Sequence, residues 1–279
     1  MGKVISIINM KGGVGKTTLS TGLADYFSDK GLKILLIDAD PQFNATQAII
    51  DCYKGDNSVE NDYYIKDILG QNKTIYELFK PQVDLTKPKE MPKASHLIVN
   101  AKENLDILCG DLNLVLANNS AEHTFVRKLK VFIDKNNLKD KYDDFIIIDC
   151  PPTLTIYTDS ALMASDFYLI PNRIDRYSIV GIQSLQRAVS NLIEEEGISL
   201  KCIGLVYTMV NNKLSKESKL KIDFESKKAV DDIDIFASSL NLSNNISAGA
   251  RGPIPTKYKL PRQDIEAIGE ELICKIHDA

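Results

Sequence analysis

Lys11-Gly12-Gly13-Val14-Gly15-Lys16-Thr17-Thr18 lies between an apolar run, Val4-Ile5-Ser6-Ile7-Ile8, and a stretch with helical spacing that runs from Leu19 to Phe27. The run reads as a strand, and the octet joins it to a helix. Glycines at 12, 13 and 15 let the backbone curl until successive N–H groups face one point. Gly-Lys-Thr at a strand-to-helix joint marks that point as a phosphate site. Lys16 is placed for the β- and γ-phosphates and the Thr17 hydroxyl for Mg²⁺. Thr18 opens the helix, whose positive end favours anions. An ordinary glycine turn would not need a lysine and a threonine at that joint. One departure stands out: the usual loop has glycine five residues before the Gly of Gly-Lys-Thr, and this chain has Met10 there.

Two more motifs sit at strand ends. Asp38-Ala39-Asp40-Pro41-Gln42 follows the apolar run Lys33–Ile37. Carboxylates at i and i+2 beyond a strand can point the same way, which places Asp40 to orient a water near a γ-phosphate. Asp38 is a candidate for the metal shell or for a contact with Lys16; a loop-capping role is the alternative for both. Phe145-Ile146-Ile147-Ile148 ends in Asp149-Cys150-Pro151-Pro152. An apolar strand ending in aspartate partners a phosphate loop, with the carboxylate on Mg²⁺ directly or through water. Further on, Asn211 follows the strand-like Cys202–Tyr207. Its amide offers both donor and acceptor to an adenine, or else simply closes a turn.

Short strand-like runs recur at Val4–Ile8, Lys33–Ile37, Leu105–Leu108, Phe145–Ile148, Asp166–Ile170 and Cys202–Tyr207, with helical patterns between most of them. The runs are nearly continuous in Ile, Leu and Val, as in strands covered on both faces. An α/β fold follows: a mostly parallel twisted sheet with helices on both faces and ligands at the carboxyl ends of the strands. The 279 residues are 44% hydrophobic, enough for one sizeable domain spanning 1–279. Residues 51–104, with several Gly, Asn and Pro, read as a surface excursion from it. Five scattered cysteines with no CxxC spacing suggest neither a zinc site nor a disulfide framework and fit a reducing compartment. No run approaches the roughly 18 apolar residues of a membrane span. The net charge of −4 gives no global sign of nucleic-acid binding. Local basic clusters exist all the same, at Lys213, Lys216 and Lys219 and again around Arg251. They are candidates for DNA phosphates, or else solvated helix faces.

The octet, together with Asp38-Ala-Asp-Pro-Gln and Ile148-Asp149-Cys-Pro-Pro, resembles the deviant Walker family of P-loop ATPases, and most of all its ParA branch, which partitions plasmids and chromosomes. In that family Asn9-Met10-Lys11-Gly12 corresponds to Asn-x-Lys-Gly, which accounts for Met10. The resemblance implies a Mg-ATP-dependent ATPase, slow and stimulated by its partner and by DNA. ATP would pair two copies in a sandwich homodimer, with Lys11 of one reaching the phosphates of the other. The dimer would bind DNA without reading sequence until a small ParB-like centromere-binding protein triggered hydrolysis. The implied location is the bacterial cytoplasm, on the nucleoid. It also implies a short form lacking an N-terminal helix-turn-helix domain. The competing expectation is a membrane-cycling regulator of division sites resembling MinD. That reading needs a C-terminal amphipathic helix with a basic rim, whereas 263–277 carries Asp264, Glu266, Glu270 and Glu271.

Overall fold

The computed structural model describes residues 1–55, 62–81, 90–117, 123–175, 178–211, 215–248 and 251–279; at 117, 123, 124, 215–218 and 247 it describes the backbone alone. Among the described residues eight strands form one sheet: β1 (Lys3–Ile7), β2 (Ile34–Asp38), β3 (Ile98–Lys102), β4 (Leu105–Leu108), β5 (Phe145–Asp149), β6 (Phe167–Arg173), β7 (Lys201–Val210) and β8 (Ile235–Asn241). Their spatial order is β3-β4-β2-β5-β1-β6-β7-β8. All neighbours are parallel except β3 and β4. β1 therefore sits in the middle, between β5 and β6, and the loop that leaves it opens at the centre of the carboxyl edge.

Side chains alternate between two cores. Ile5 and Ile7 of β1, Ile34 and Leu36 of β2, and Phe145 and Ile147 of β5 face one side. There they meet α1 (Lys16–Asp29), α2 (Asn44–Tyr53) and, at the far end of the chain, a helix over Lys259–Asp278. Val4, Leu35, Ile37, Ile146 and Ile148 face the other side. Their partners there lie on Tyr76–Phe79, Lys128–Lys135, Ile156–Ala164 and Ser178–Glu196. Because both faces are covered, the central strands carry no polar face, which is why they read as continuous apolar runs.

The region 51–104 is more than a surface excursion in its described parts. Ile68, Ile75, Leu78, Phe79 and Leu97 are buried in the cores, and residues 98–102 form the edge strand β3. At the opposite edge, the helix Lys259–Asp278 closes β8. The Glu271 carboxylate accepts from the N–H groups of Ala237 and Ser238, and Asp264 accepts from Asn241 N, each at 2.9 Å. Ile265, Ile268, Leu272 and Ile276 on the same helix are buried. These four residues pack against the sheet and α1, and Asp264 and Glu271 are held in hydrogen bonds to β8. Among the described residues no helix is long and apolar enough to cross a membrane.

Candidate functional site

The loop between β1 and α1 needs glycine for two separate reasons. Gly13 and Gly15 adopt φ of 69° and 79°, the left-handed region that strains other residues. At Gly12 and Gly13 an added Cβ would meet no atom within 4 Å, so the loop borders open space. Asn9 staples the loop to the sheet. Its Nδ2 donates to Pro171 O at 2.9 Å on β6, and its Oδ1 accepts from Lys11 N at 3.0 Å.

Lys16, 7% exposed, folds back on the loop. Its Nζ donates to the carbonyls of Asn9 at 3.2 Å and Lys11 at 3.1 Å. Burial lowers its pKa, while Asp149, Cys150 and Asp40 pull the other way. An ammonium held over an open glycine cradle, at the positive end of a helix, is an anion site.

Asp149 and Asp40 act on Lys16 by their charge, and Asp38 stands next to them. Asp38 and Asp149 stand opposite each other in the register of β2 and β5, and both are fully buried. Asp149 accepts from Thr17 Oγ1 at 2.8 Å and from Ser20 Oγ at 2.9 Å. A hydroxyl and a carboxylate in contact are two hard oxygens suited to a small divalent cation. Burial pushes the Asp149 carboxyl up; the hydroxyls of Thr17 and Ser20 and the charge of Lys16 hold it down, and the charge of Asp40 adds to the rise.

Asp38 also moves up, first through burial and then through the charge of Asp149. Its oxygens are committed to the protein: Oδ2 accepts from Thr46 N at 2.7 Å and from Thr46 Oγ1 at 2.8 Å, and Oδ1 accepts from Asp40 N at 3.2 Å. These bonds tie Asp38 to α2 and to the Asp40 loop. Asp40, 7% exposed, accepts from Gln42 N at 2.9 Å. That turn continues through Phe43, whose φ of 42° is left-handed and whose ring stacks on Tyr64 at 5.0 Å.

The other sequence candidates are placed as follows. Lys11 forms an ion pair with Asp175 of its own chain, just past β6. Val14 is buried, and Thr18 lines a pocket of about 190 Å³ together with Gly15, Met209, Leu240, Asn241, Leu242, Ser243 and Ile246. The asparagine in that pocket is Asn241 at the end of β8; Asn211 is half-buried just beyond β7. Asp264 accepts from Asn241 Nδ2 at 3.1 Å. Lys213 lies outside the described residues, and of Lys216 only the backbone, in the helix Ser215–Glu225, is described. Lys219 on that helix and Arg251 are exposed. Sequence reasoning missed Asn9 as a staple, Ser20, Asp175 and Asn241. Ser20 alone carried a local signal, one turn beyond Lys16 on the helix face that meets β5.

The AAA_31 family, described as an AAA domain, matches residues 2–202. The sporulation initiation inhibitor protein Soj of Bacillus subtilis is 31% identical over 211 residues, which are 76% of this chain and 74% of Soj. The chromosome partitioning protein ParA of Myxococcus xanthus is 31% identical over 216 residues, 76% of this chain and 67% of that protein. Among solved structures, a McdA variant from Cyanothece in complex with ATP gives a TM-score of 0.74 at 21% identity, covering 99% of this chain and 96% of that one. With most of its length matched and its loop, strand-end carboxylates and sheet in place, the chain belongs to the AAA_31 family of P-loop ATPases, alongside the ParA and Soj proteins.

Proposed function

We propose that this chain is a Mg-ATP-driven partition ATPase. In this reading ATP pairs two copies face to face, the pair binds DNA without reading its sequence, and hydrolysis, stimulated by a small centromere-binding protein, releases it. The observation that carries the proposal is a glycine cradle holding two lysines, one buried and one at the rim, beside the carboxylates Asp40 and Asp149.

The residues fit Mg-ATP. The open space before Gly12 and Gly13 leaves room for phosphates, and Thr17 and Asp149 already stand in contact as an oxygen pair. Among the described residues no group of three or more His, Cys, Asp or Glu could hold a metal ion. Mg²⁺ keeps waters and shares phosphate oxygens rather than entering an all-protein cage, so one hydroxyl and one carboxylate are the kind of protein donors it would use. The bound ion would supply charge neutralisation across the phosphates. Lys16 exchanges its contacts with the Asn9 and Lys11 carbonyls for phosphate oxygens. Asp149 and Thr17 would hold the metal. Asp40 orients the attacking water, and Asp38 fixes the backbone from which Asp40 is presented. The pocket beside Gly15 takes the base.

Pairing is supported by what lies along the same edge. Leu112 beyond β4, Leu154 beyond β5 and Val180 beyond β6 are 57%, 52% and 59% exposed. Because these strands run parallel, all three lie at the carboxyl edge of the sheet, the edge on which the loop opens, where a second copy could cover them. Lys11, at the same rim, would leave Asp175 for the partner's phosphates. DNA phosphates would meet the exposed Lys219 and Arg251, with Lys213 and Lys216 as further candidates. The buried C-terminal helix weighs against the membrane-cycling alternative. The cell interior, on the nucleoid, is the corresponding location.

Lys11→Ala tests the pairing. It removes no contact of Lys16 with side chains, so ATP should still bind to single copies within about threefold of the parent. The dimer that light scattering detects with ATP, and not with ADP, should be lost. A Lys11→Ala protein that dimerises with ATP as the parent does would refute the assigned role.

A further inference from the structure

The last turn of β7 is built irregularly, and the irregularity points at the phosphate loop. Val206 faces the core that contains α1, and Tyr207 faces the opposite core. By alternation Thr208 returns to the α1 side and Met209 should leave it. Met209 instead has a φ of 54°, and the register with β8 slips there: Thr208 pairs with Leu240 and Val210 with Asn241, leaving Met209 without a partner in the ladder. A bulge of this kind re-aims side chains. Here it puts two consecutive residues beside the loop. An added Cβ on Gly15 would lie 3.6 Å from Thr208 Cβ and 3.8 Å from Met209 Cε. A left-handed backbone at a methionine is costly, and such strain gathers at sites that depend on it.

Thr208 is 1% exposed, and its Oγ1 donates to the carbonyl of Val14 at 2.6 Å, across 194 positions of sequence. That carbonyl belongs to the peptide unit joining Val14 to Gly15. In a planar trans peptide the C=O and the N–H point in opposite directions. Drawing the Val14 oxygen onto β7 therefore turns the Gly15 N–H away from β7. Gly15, at φ 79° and ψ 24°, accepts the resulting turn into α1, where Leu19 N donates to Gly15 O at 2.9 Å.

We propose that Thr208 is a positioning residue of the nucleotide site: its hydroxyl sets the Val14–Gly15 peptide so that the Gly15 N–H is presented to a phosphate. The proposal rests on the reading of the loop as a nucleotide site. Thr208 touches no phosphate and acts through the loop. The bulge at Met209 lets β7 hold this peptide with one residue and wall the neighbouring pocket with the next.

The test compares Thr208→Val, which keeps the shape and removes the hydroxyl, with Thr208→Ser, which keeps the hydroxyl. Thr208→Ala serves if the valine variant does not fold. Affinities for ATP, ADP and adenosine are measured by calorimetry, with thermal melting as the control for folding. Thr208→Val should bind ATP and ADP at least tenfold more weakly and adenosine as the parent does, and Thr208→Ser should restore both nucleotides to within about threefold. Unchanged ATP affinity in Thr208→Val overturns the proposal. So does an equal loss for ATP and adenosine, which marks a merely structural role, and so does a serine variant as weak as the valine. If the parent itself binds ATP no better than adenosine, the nucleotide reading fails first, and this proposal with it.

Discussion

Lys16→Ala is expected to weaken ATP binding at least 100-fold, about 2.7 kcal/mol. Lys16 is the buried cation of the site; the charges of Asp149 and Asp40 act on it, and the carboxyls of Asp38 and Asp149 raise each other's cost of burial as charges. Without Lys16, entering phosphates would face carboxylates with no fixed positive side chain between them. Two loop carbonyls would also lose a donor. The helix N-terminus and the backbone N–H groups of the loop remain, so some affinity for phosphate should survive. Calorimetric titration with Mg-ATP measures the change. A Lys16→Ala protein that binds within threefold of the parent would mean that phosphate sits elsewhere.

Asp40→Ala should separate binding from chemistry. Its carboxylate caps Gln42 N and faces the two strand-end aspartates, but it makes no contact with Lys16 or Thr17 comparable to those around Asp149. ATP affinity is expected to stay within about threefold. Steady-state release of phosphate should fall by about 10²–10³, the scale for loss of a group that positions or activates the nucleophile. Removing a like charge that raises the carboxyls of Asp38 and Asp149 should also leave the melting temperature unchanged or higher. The variant would accumulate as an ATP-bound pair. Undiminished phosphate release would remove Asp40 from the mechanism.

Much of this site could be read from sequence because its chemistry is packed into contiguous motifs. The loop, Asp40 and Asp149 each follow a buried strand, and six strands were legible to within about three residues at each end. β3 and β8 were not. Both are edge strands with mixed burial, Asn100 and Lys102 in one and Ser238 and Ser239 in the other, so neither gives a continuous apolar run. The bonds of Asp38 to Thr46, eight residues on, had no local signal because they depend on how α2 returns to the sheet. Asp175 and Thr208 had no motif to announce them. Their contacts with Lys11 and Val14 span 164 and 194 residues and exist only once β6 and β7 flank β1 from one side. Lys11 was legible as a lysine to spare, and its present partner was not.

The most direct measurement of the proposed switch is binding to a DNA fragment of arbitrary sequence with ATP, with ADP and without nucleotide, each at low and moderate salt. The expected result is tight binding with ATP alone, equal for unrelated sequences, and falling steeply with salt as several phosphate contacts release counterions. Binding that is the same in all three nucleotide conditions, or binding with ATP to anionic vesicles and not to DNA, would contradict it.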